Sequence, residues 1–181
     1  QTMAFELLSN ADLNPISAEQ RLAQIQALSK ASGVHGMIGG QMLDLMAEGD
    51  ATLDEATLQT MYDCKTGALI RVSIELALLA AHPLSPSFKT ALLRFAEIIG
   101  LAFQVKDDLL DLEEKKDALG NILISSDIQK DKITFPRLLG LAKTQEKLAQ
   151  LLAAAEEAIE PLGTIKDKLM PIAQFCVERR I

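Results

Sequence analysis

The amino-acid sequence predicts an all-α protein. Apolar residues recur at helical spacing along most of the 181 positions, and no segment shows the apolar/polar alternation that marks a half-buried strand. Aromatic residues make up only 4% of the chain and tryptophan is absent, a composition that favours helices over strands. With 49% apolar residues the chain can bury a sizeable core, so we expect residues 1–181 to form a single helical domain.

Short polar breaks and prolines divide the chain into predicted helices. Ser17 followed by Gln20 has the spacing of a capping box at a helix start. Pro83 stops one helix and Pro86 opens the next, because proline suits the first turn of a helix but not its interior. The helices are expected over residues 1–8, 17–30, 34–48, 53–82, 86–111 and 136–160, with a last helix that follows Gly163 and ends at Arg180.

The predicted helix over 86–111 and the segment that follows it differ from the rest of the chain. At 1.5 Å per residue this helix would be about 40 Å long, enough to cross a whole domain. Residues 113–133 lose the helical pattern, and a polar, loop-rich segment of that length suggests a function. At the other end, Gln1 already lies in helical sequence without an N-cap or an initiator methionine, so we expect the chain to begin inside a longer protein.

Charge and cysteine content exclude several classes of partner. A net charge of −7 argues against a nucleic-acid partner, because phosphate backbones attract basic surfaces. No apolar run approaches the roughly 20 residues that a membrane-spanning helix needs. Cys64 and Cys176 lie in apolar helical sequence without a CxxC motif, which indicates reduced structural thiols and a cytoplasmic location.

Four polar residues form one stripe near the end of the long predicted helix. Gln104, Asp107, Asp108 and Asp111 are spaced at i, i+3, i+4 and i+7. The apolar neighbours on the other faces of this helix are Phe103, Val105, Leu109, Leu110 and Leu112. Three carboxylates within about one turn repel each other and need a cation. Because oxygen ligands favour hard ions, the stripe predicts a Mg²⁺ site that faces a phosphorylated ligand. The alternative is a solvated acidic patch, which the apolar neighbours disfavour.

Lys65 interrupts an otherwise apolar helix face in the predicted helix 53–82. An inward lysine needs an anionic partner, and a bound diphosphate would supply one, with the Thr66 hydroxyl beside it. The alternatives are that Lys65 extends to the surface or pairs with Glu75 or Asp63. Further lysines in the loop after the aspartates would close over a charged substrate or simply be solvated, namely Lys115, Lys116, Lys130 and Lys132.

Several motifs in order resemble those of the trans-prenyl diphosphate synthases, and among them the bacterial farnesyl diphosphate synthases. The resemblance covers essentially the whole chain and corresponds to the C-terminal part of such an enzyme. A single DDxxD motif would be a weak signal, whereas several motifs in the right order are a strong one. The matching segments are 33–41 with Asp44, 65–70, 100–104 running into 107–111, and 132–136, which is similar to the family's GKxTYP.

The resemblance implies an isoprenoid synthase helical bundle without its N-terminal helices. The implied activity is Mg²⁺-dependent condensation of isopentenyl diphosphate with an allylic diphosphate, dimethylallyl or geranyl, to give farnesyl diphosphate, by a cytoplasmic homodimer. Asp107 and Asp111 would ligate Mg²⁺ directly or through water, with Asp108 supporting them. The remaining implied roles are diphosphate binding by Lys65 and Lys132, and stabilisation of the developing cation by Thr66 and Gln104.

The chain also departs from the family pattern. The family's first aspartate-rich motif is absent, as are the arginines after it and the upstream residues that hold isopentenyl diphosphate, so we expect no turnover from this chain alone. Asp131 and Phe135 replace the glycine and tyrosine of GKxTYP, and Asn121 stands where relatives usually have a diphosphate-binding lysine. The alternatives are a longer-chain synthase, a class I terpene cyclase, which usually has a different motif at 107–111, or a non-catalytic helical subunit, which would not need clustered buried charge.

Overall fold

The protein is built from helices that pack around one long helix. The structure, a computed structural model, describes residues 1–49, 52–112, 115–116, 122–123 and 132–180. The described elements are α1 (Thr2–Ser9), α2 (Ala18–Ser32), α3 (Met37–Met46), α4 (Glu55–Tyr62), a π turn (Asp63–Gly67), α5 (Ala68–Ala80), α6 (Pro86–Leu110), β1 (Lys115–Lys116), β2 (Ile122–Leu123), α7 (Phe135–Leu139), α8 (Leu141–Ile159), a 3₁₀ turn (Glu160–Ile165) and α9 (Lys166–Glu178). The predicted all-α class is confirmed, and β1 and β2 form only a two-residue antiparallel ladder.

The long helix α6 is the central element, as its length predicted. The Ser85 hydroxyl accepts a hydrogen bond from the Phe88 amide, and Pro86 occupies the first turn. Its 25 residues span about 37 Å. Phe95 near its middle belongs to one core cluster with residues of α8 and α9, whereas Val105 near its end belongs to a second cluster with residues of α4 and α7. The helix therefore connects two halves of the core.

One helix start agrees with the prediction, and two helix boundaries differ from it for local reasons. The capping box of Ser17 and Gln20 is present at the start of α2. However, α3 begins at Met37 and not at residue 34, because residues 33–36 make a turn. In this turn a Cβ on Gly36 would lie 2.0 Å from the Ala31 carbonyl oxygen, so the position suits glycine. The predicted helix over 136–160 is divided at Gly140, whose φ of +84° suits glycine and ends α7 before α8 begins.

Candidate functional site

The predicted helix over 53–82 contains a π turn at Asp63–Gly67, and this turn carries Lys65 and Thr66. A π turn adds a residue to one helical turn and is frequent at functional sites. Two glycines let neighbouring helices press against it: a Cβ on Gly40 would lie 2.2 Å from the Lys65 backbone nitrogen, and one on Gly100 would lie 2.9 Å from the Gly67 Cα. The two glycines thus permit a close helix crossing at the π turn.

Lys65 and Lys132 meet at the carboxylate of Asp44. The Lys65 Nζ lies 2.8 Å from Asp44 Oδ2, and the Lys132 Nζ lies 2.7 Å from the same oxygen. Asp44 itself is buried, with 6% of its surface exposed. The structure thus brings together the two lysines that were predicted to hold diphosphate, and Lys65 pairs with Asp44 and not with the Glu75 or Asp63 that sequence reasoning considered.

The charge state of Asp44 follows from these contacts. Burial alone would raise its pKa, but the hydrogen bonds from Lys132 and Lys65 and the positive charges of both lysines together outweigh burial and hold the pKa below the ordinary value of 3.8. Asp44 is therefore ionised at neutral pH, and the two ammonium groups converge on a full negative charge. The same geometry would suit an oxygen of a phosphorylated ligand.

Thr66 and Gln104 form a second contact between the π turn and α6. The Thr66 hydroxyl donates a hydrogen bond of 2.9 Å to Gln104 Oε1, which joins the two residues predicted to lie beside the reacting carbon. Gln104 lies one turn before Asp108 on the same helix. The hydrogen bond therefore ties the lysine-bearing turn to the part of α6 that carries the aspartates.

Asp108 faces the core, whereas its neighbour Asp107 points in a different direction and is more exposed. It is 2% exposed, and the Tyr62 hydroxyl lies 3.0 Å from each of its carboxylate oxygens. The Phe135 amide donates a third hydrogen bond of 2.9 Å to Oδ2. Asp108 thus joins α4, α6 and the start of α7, and the predicted single stripe of three carboxylates divides into a core-facing Asp108 and the more exposed Asp107.

Asp107 pairs with an arginine that sequence reasoning did not single out. The Arg179 Nη2 lies 2.6 Å from Asp107 Oδ1 and also donates to the Phe103 carbonyl oxygen at 2.9 Å. The guanidinium carbon stands 3.8 Å from the centroid of the Phe103 ring, a cation–π contact. No local motif near Arg179 signals this role, because its partner lies 72 residues earlier in the chain.

The remaining aspartate, Asp111, lies at the C-terminal cap of α6, one turn after Asp107. Among the residues that the structure describes, no three acidic, histidine or cysteine side chains are arranged to hold a metal ion. Mg²⁺ does not require such a set, because it commonly takes one or two carboxylates and fills its other positions with water and phosphate oxygens. The oxygen donors of Asp107 and Asp111 fit that pattern.

The predicted lysine loop is described only in part. Lys130, Asn121 and Asp131 lie outside the described residues, and Lys115 and Lys116 are described as β1 without their side chains. Phe135, which replaces the tyrosine of GKxTYP, is fully buried and packs edge-on against Tyr62 with ring centroids 5.7 Å apart. An apolar ring suits this position because it needs no hydrogen-bond partner there.

One cavity lies next to the π turn but does not contain the predicted site. It has a volume of about 670 Å³, and its lining includes Asp63, Cys64 and Gly67 but neither Lys65 nor Thr66. The converging lysines and the hydrogen bonds to α6 locate the candidate site better than this cavity does, because they involve the residues that can bind an anion.

Neither cysteine forms a disulfide: Cys64 is half-buried and Cys176 is buried.

Comparisons with known proteins agree with these features. A family model described as polyprenyl synthetase matches residues 1–169. The farnesyl diphosphate synthase of Escherichia coli (strain K12) is 41% identical over 182 residues, which cover 99% of this chain and 60% of that protein. The chain therefore spans about three fifths of the length of this relative.

Solved structures match as well. The apo structure of an FPP/GFPP synthase from Zymomonas mobilis has a TM-score of 0.80 and 35% identity, and the match covers 98% of this chain and 57% of that one. A geranyltransferase from Helicobacter pylori, complexed with magnesium and isoprenyl diphosphate, has a TM-score of 0.78 and 28% identity, with coverage of 98% and 56%. Among the described residues, no helix is long and apolar enough to cross a membrane.

Proposed function

The chain belongs to the polyprenyl synthetase family and has the all-α isoprenoid synthase fold, and on that premise we propose that it serves a prenyltransferase reaction. The proposed reaction joins isopentenyl diphosphate to dimethylallyl or geranyl diphosphate and gives farnesyl diphosphate. Two relatives of this chain are named farnesyl diphosphate synthase, and the chain covers about 60% of the length of each. We therefore propose roles in this reaction only for residues that this chain itself contains.

The observation that carries the proposal is the convergence of Lys65 and Lys132 on one buried oxygen of Asp44. The two lysines lie on separate elements, the π turn and the segment before α7, yet their ammonium groups are both within 2.8 Å of that oxygen. Charge-assisted hydrogen bonds of this kind are the strong ones. A diphosphate oxygen beside these lysines would receive two of them, so we assign Lys65 and Lys132 to binding the allylic diphosphate.

Thr66 and Gln104 are proposed to lie beside the reacting carbon. Their hydrogen bond holds both side chains in one orientation next to the lysines. Hydroxyl and amide oxygens direct partial negative charge at a neighbouring group, and fixed dipoles stabilise developing charge without reorganisation. The two side chains would therefore steady the carbocation that forms when the allylic C–O bond breaks.

Asp107 and Asp111 are proposed to hold Mg²⁺, with Asp108 as their structural support. The magnesium in the related Helicobacter pylori structure supports this choice of ion, as does the all-oxygen donor set. When bound, Mg²⁺ would neutralise charge on the departing diphosphate. Asp108 would act through position, because its hydrogen bonds with Tyr62 and Phe135 fix the end of α6 against α4 and α7.

Diphosphate binding tests the proposal directly. We would measure Mg²⁺-dependent binding of a bisphosphonate by calorimetry in wild type, Asp107→Ala and Lys65→Gln, with the exposed Lys89→Gln as a charge-matched control. We expect at least a tenfold loss of affinity for the first two variants and less than a twofold change for the control. Equal affinity in wild type and Asp107→Ala would favour a non-catalytic helical subunit.

Turnover needs a separate measurement. The sequence contains one DDxxD motif, at 107–111, and we propose that the 181-residue chain alone binds ligand but does not condense it. Product analysis with isopentenyl and geranyl diphosphates would show no farnesyl diphosphate, and its formation would overturn this part of the proposal. In a longer polypeptide that supplies the absent first aspartate-rich motif, a linear C15 product supports the synthase, whereas a longer or cyclic product supports the alternatives.

Homodimer formation and a cytoplasmic location are further proposals. Several apolar side chains on and beside α3 are exposed, among them Val34 at 73% and Met46 at 72%, and such a surface suits burial against another chain. Sedimentation equilibrium of the purified protein would test the dimer, and a strictly monomeric species would exclude it. Cell fractionation would test the location.

A further inference from the structure

Arg179 places a positive charge at the carboxylate that is proposed to bind a metal ion. Its Nη2 lies 2.6 Å from Asp107 Oδ1, and only 10% of the arginine side chain is exposed, against 35% for Asp107. The Phe103 ring and the Phe103 carbonyl oxygen hold the guanidinium from the other side. The arginine is thus fixed by three contacts at the cation-binding face of α6.

A divalent ion and this guanidinium would compete for the same negative charge. A Mg²⁺ held by Asp107 would share this carboxylate with the guanidinium that is hydrogen-bonded to it. Solvent screens the arginine less than the aspartate, because 10% of the arginine side chain is exposed and 35% of the aspartate side chain is. The repulsion therefore opposes metal binding for as long as Arg179 keeps its position.

The arginine is also incompletely satisfied. Its Nε is buried, and within the described part of the chain it has no hydrogen-bond partner. A buried N–H without an acceptor is costly, so the arrangement around Asp107 is not the best that this side chain can achieve. An incoming ligand that offers an acceptor would make it easier for Arg179 to leave the carboxylate.

We propose that Arg179 is the internal counter-ion of Asp107 and that it lowers the affinity of the site for divalent cations. This inference rests on the proposed function for the location of the metal at Asp107. Arg179 lies at the end of α9, so metal binding would be accompanied by release of that end from α6. A residue with a purely structural role would instead leave metal affinity unchanged whenever the protein stays folded.

The test is a titration with Mn²⁺, followed by electron paramagnetic resonance of the free ion, in wild type and four variants. Arg179→Gln removes the charge, Arg179→Lys keeps it, and the exposed neighbour Arg180→Gln is the matched control. We expect at least tenfold tighter binding for Arg179→Gln and changes below threefold for the other two. The gain should vanish in the double variant Arg179→Gln/Asp107→Asn, because it depends on the freed carboxylate.

The outcomes separate this inference from the proposed function. If wild type binds Mn²⁺ through Asp107 but Arg179→Gln matches Arg180→Gln or binds more weakly, only the counter-ion role fails. If wild type and Arg179→Gln both fail to bind Mn²⁺, the counter-ion role and the proposed metal site at Asp107 are both wrong. Should Arg179→Gln not fold, hydrogen exchange of wild type decides: Mn²⁺ should increase exchange over residues 175–180, and unchanged exchange there overturns the inference.

Discussion

Replacing Asp108 by alanine should destabilise the protein by about 4 kcal/mol, because it removes a buried acceptor that two buried donors share. The Tyr62 hydroxyl and the Phe135 amide both bond to this carboxylate at 2.9–3.0 Å, and Tyr62 and Phe135 are 5% and 0% exposed. Each buried donor left unsatisfied costs about 1–3 kcal/mol, which gives roughly 2–6 kcal/mol for the pair. Tyr62→Phe removes one donor and leaves the other bond intact, so we expect a loss of about 1–2 kcal/mol.

A double-mutant cycle measured by urea unfolding, with circular dichroism as the signal, isolates the interaction. In the Asp108→Ala background the hydrogen bond between the Tyr62 hydroxyl and Asp108 is already lost, so adding Tyr62→Phe should cost less than it does in wild type. The expected coupling is therefore at least about 1 kcal/mol. If Tyr62→Phe costs the same in both backgrounds, the hydroxyl does not bond to Asp108, and the support role of this aspartate is wrong.

Three further outcomes follow from the packing and charges around the π turn. Gly40→Ala should destabilise the protein by about 3 kcal/mol or more in the same urea assay, because its Cβ would meet the Lys65 backbone and backbone cannot move aside as a side chain can. Asp44→Asn should lower stability by about 2 kcal/mol at pH 7; since the folded-state pKa of Asp44 is depressed, its contribution is full above pH 3.8 and should fade as the pH drops below that value. In a thiol titration of the native protein we expect Cys64 to react and Cys176 to react only after unfolding, because burial raises the pKa of the Cys176 thiol.

Features with a local physical cause could be predicted from the sequence. The start of α6 depends on Ser85 and Pro86, and the start of α2 on Ser17 and Gln20, so each boundary is encoded within four residues. The pattern of apolar residues likewise predicted a long central helix. The π turn was not predictable in this way, because it lies where Gly40 of α3 packs against the helix, and that contact exists only in the folded chain.

The candidate site could be predicted as a set of residues but not as a set of contacts. Spacing placed Asp107 and Asp108 in one stripe, although consecutive helical residues are rotated by about 100° and these two face different neighbours. Asp44 belongs to one of the matching segments. The need of an inward-facing Lys65 for an acidic partner could have identified Asp44 as that partner. Arg179 carried no such signal, because its role arises from the docking of α9 against α6.

The proposed diphosphate site lies in an acidic protein, and the pairing of charges bears on how it would attract an anion. With a net charge of −7 the chain as a whole repels phosphate, so attraction must be local. Lys65 and Lys132 both contact the Asp44 carboxylate in one part of the proposed site, while Asp107 and Asp111 lie in another part, where Arg179 pairs with Asp107. A metal–diphosphate ligand presents the opposite arrangement, with its anion toward the lysines and its cation toward the aspartates. We therefore expect the proposed site to favour the metal complex over either ion alone, so that binding of each component strengthens binding of the other.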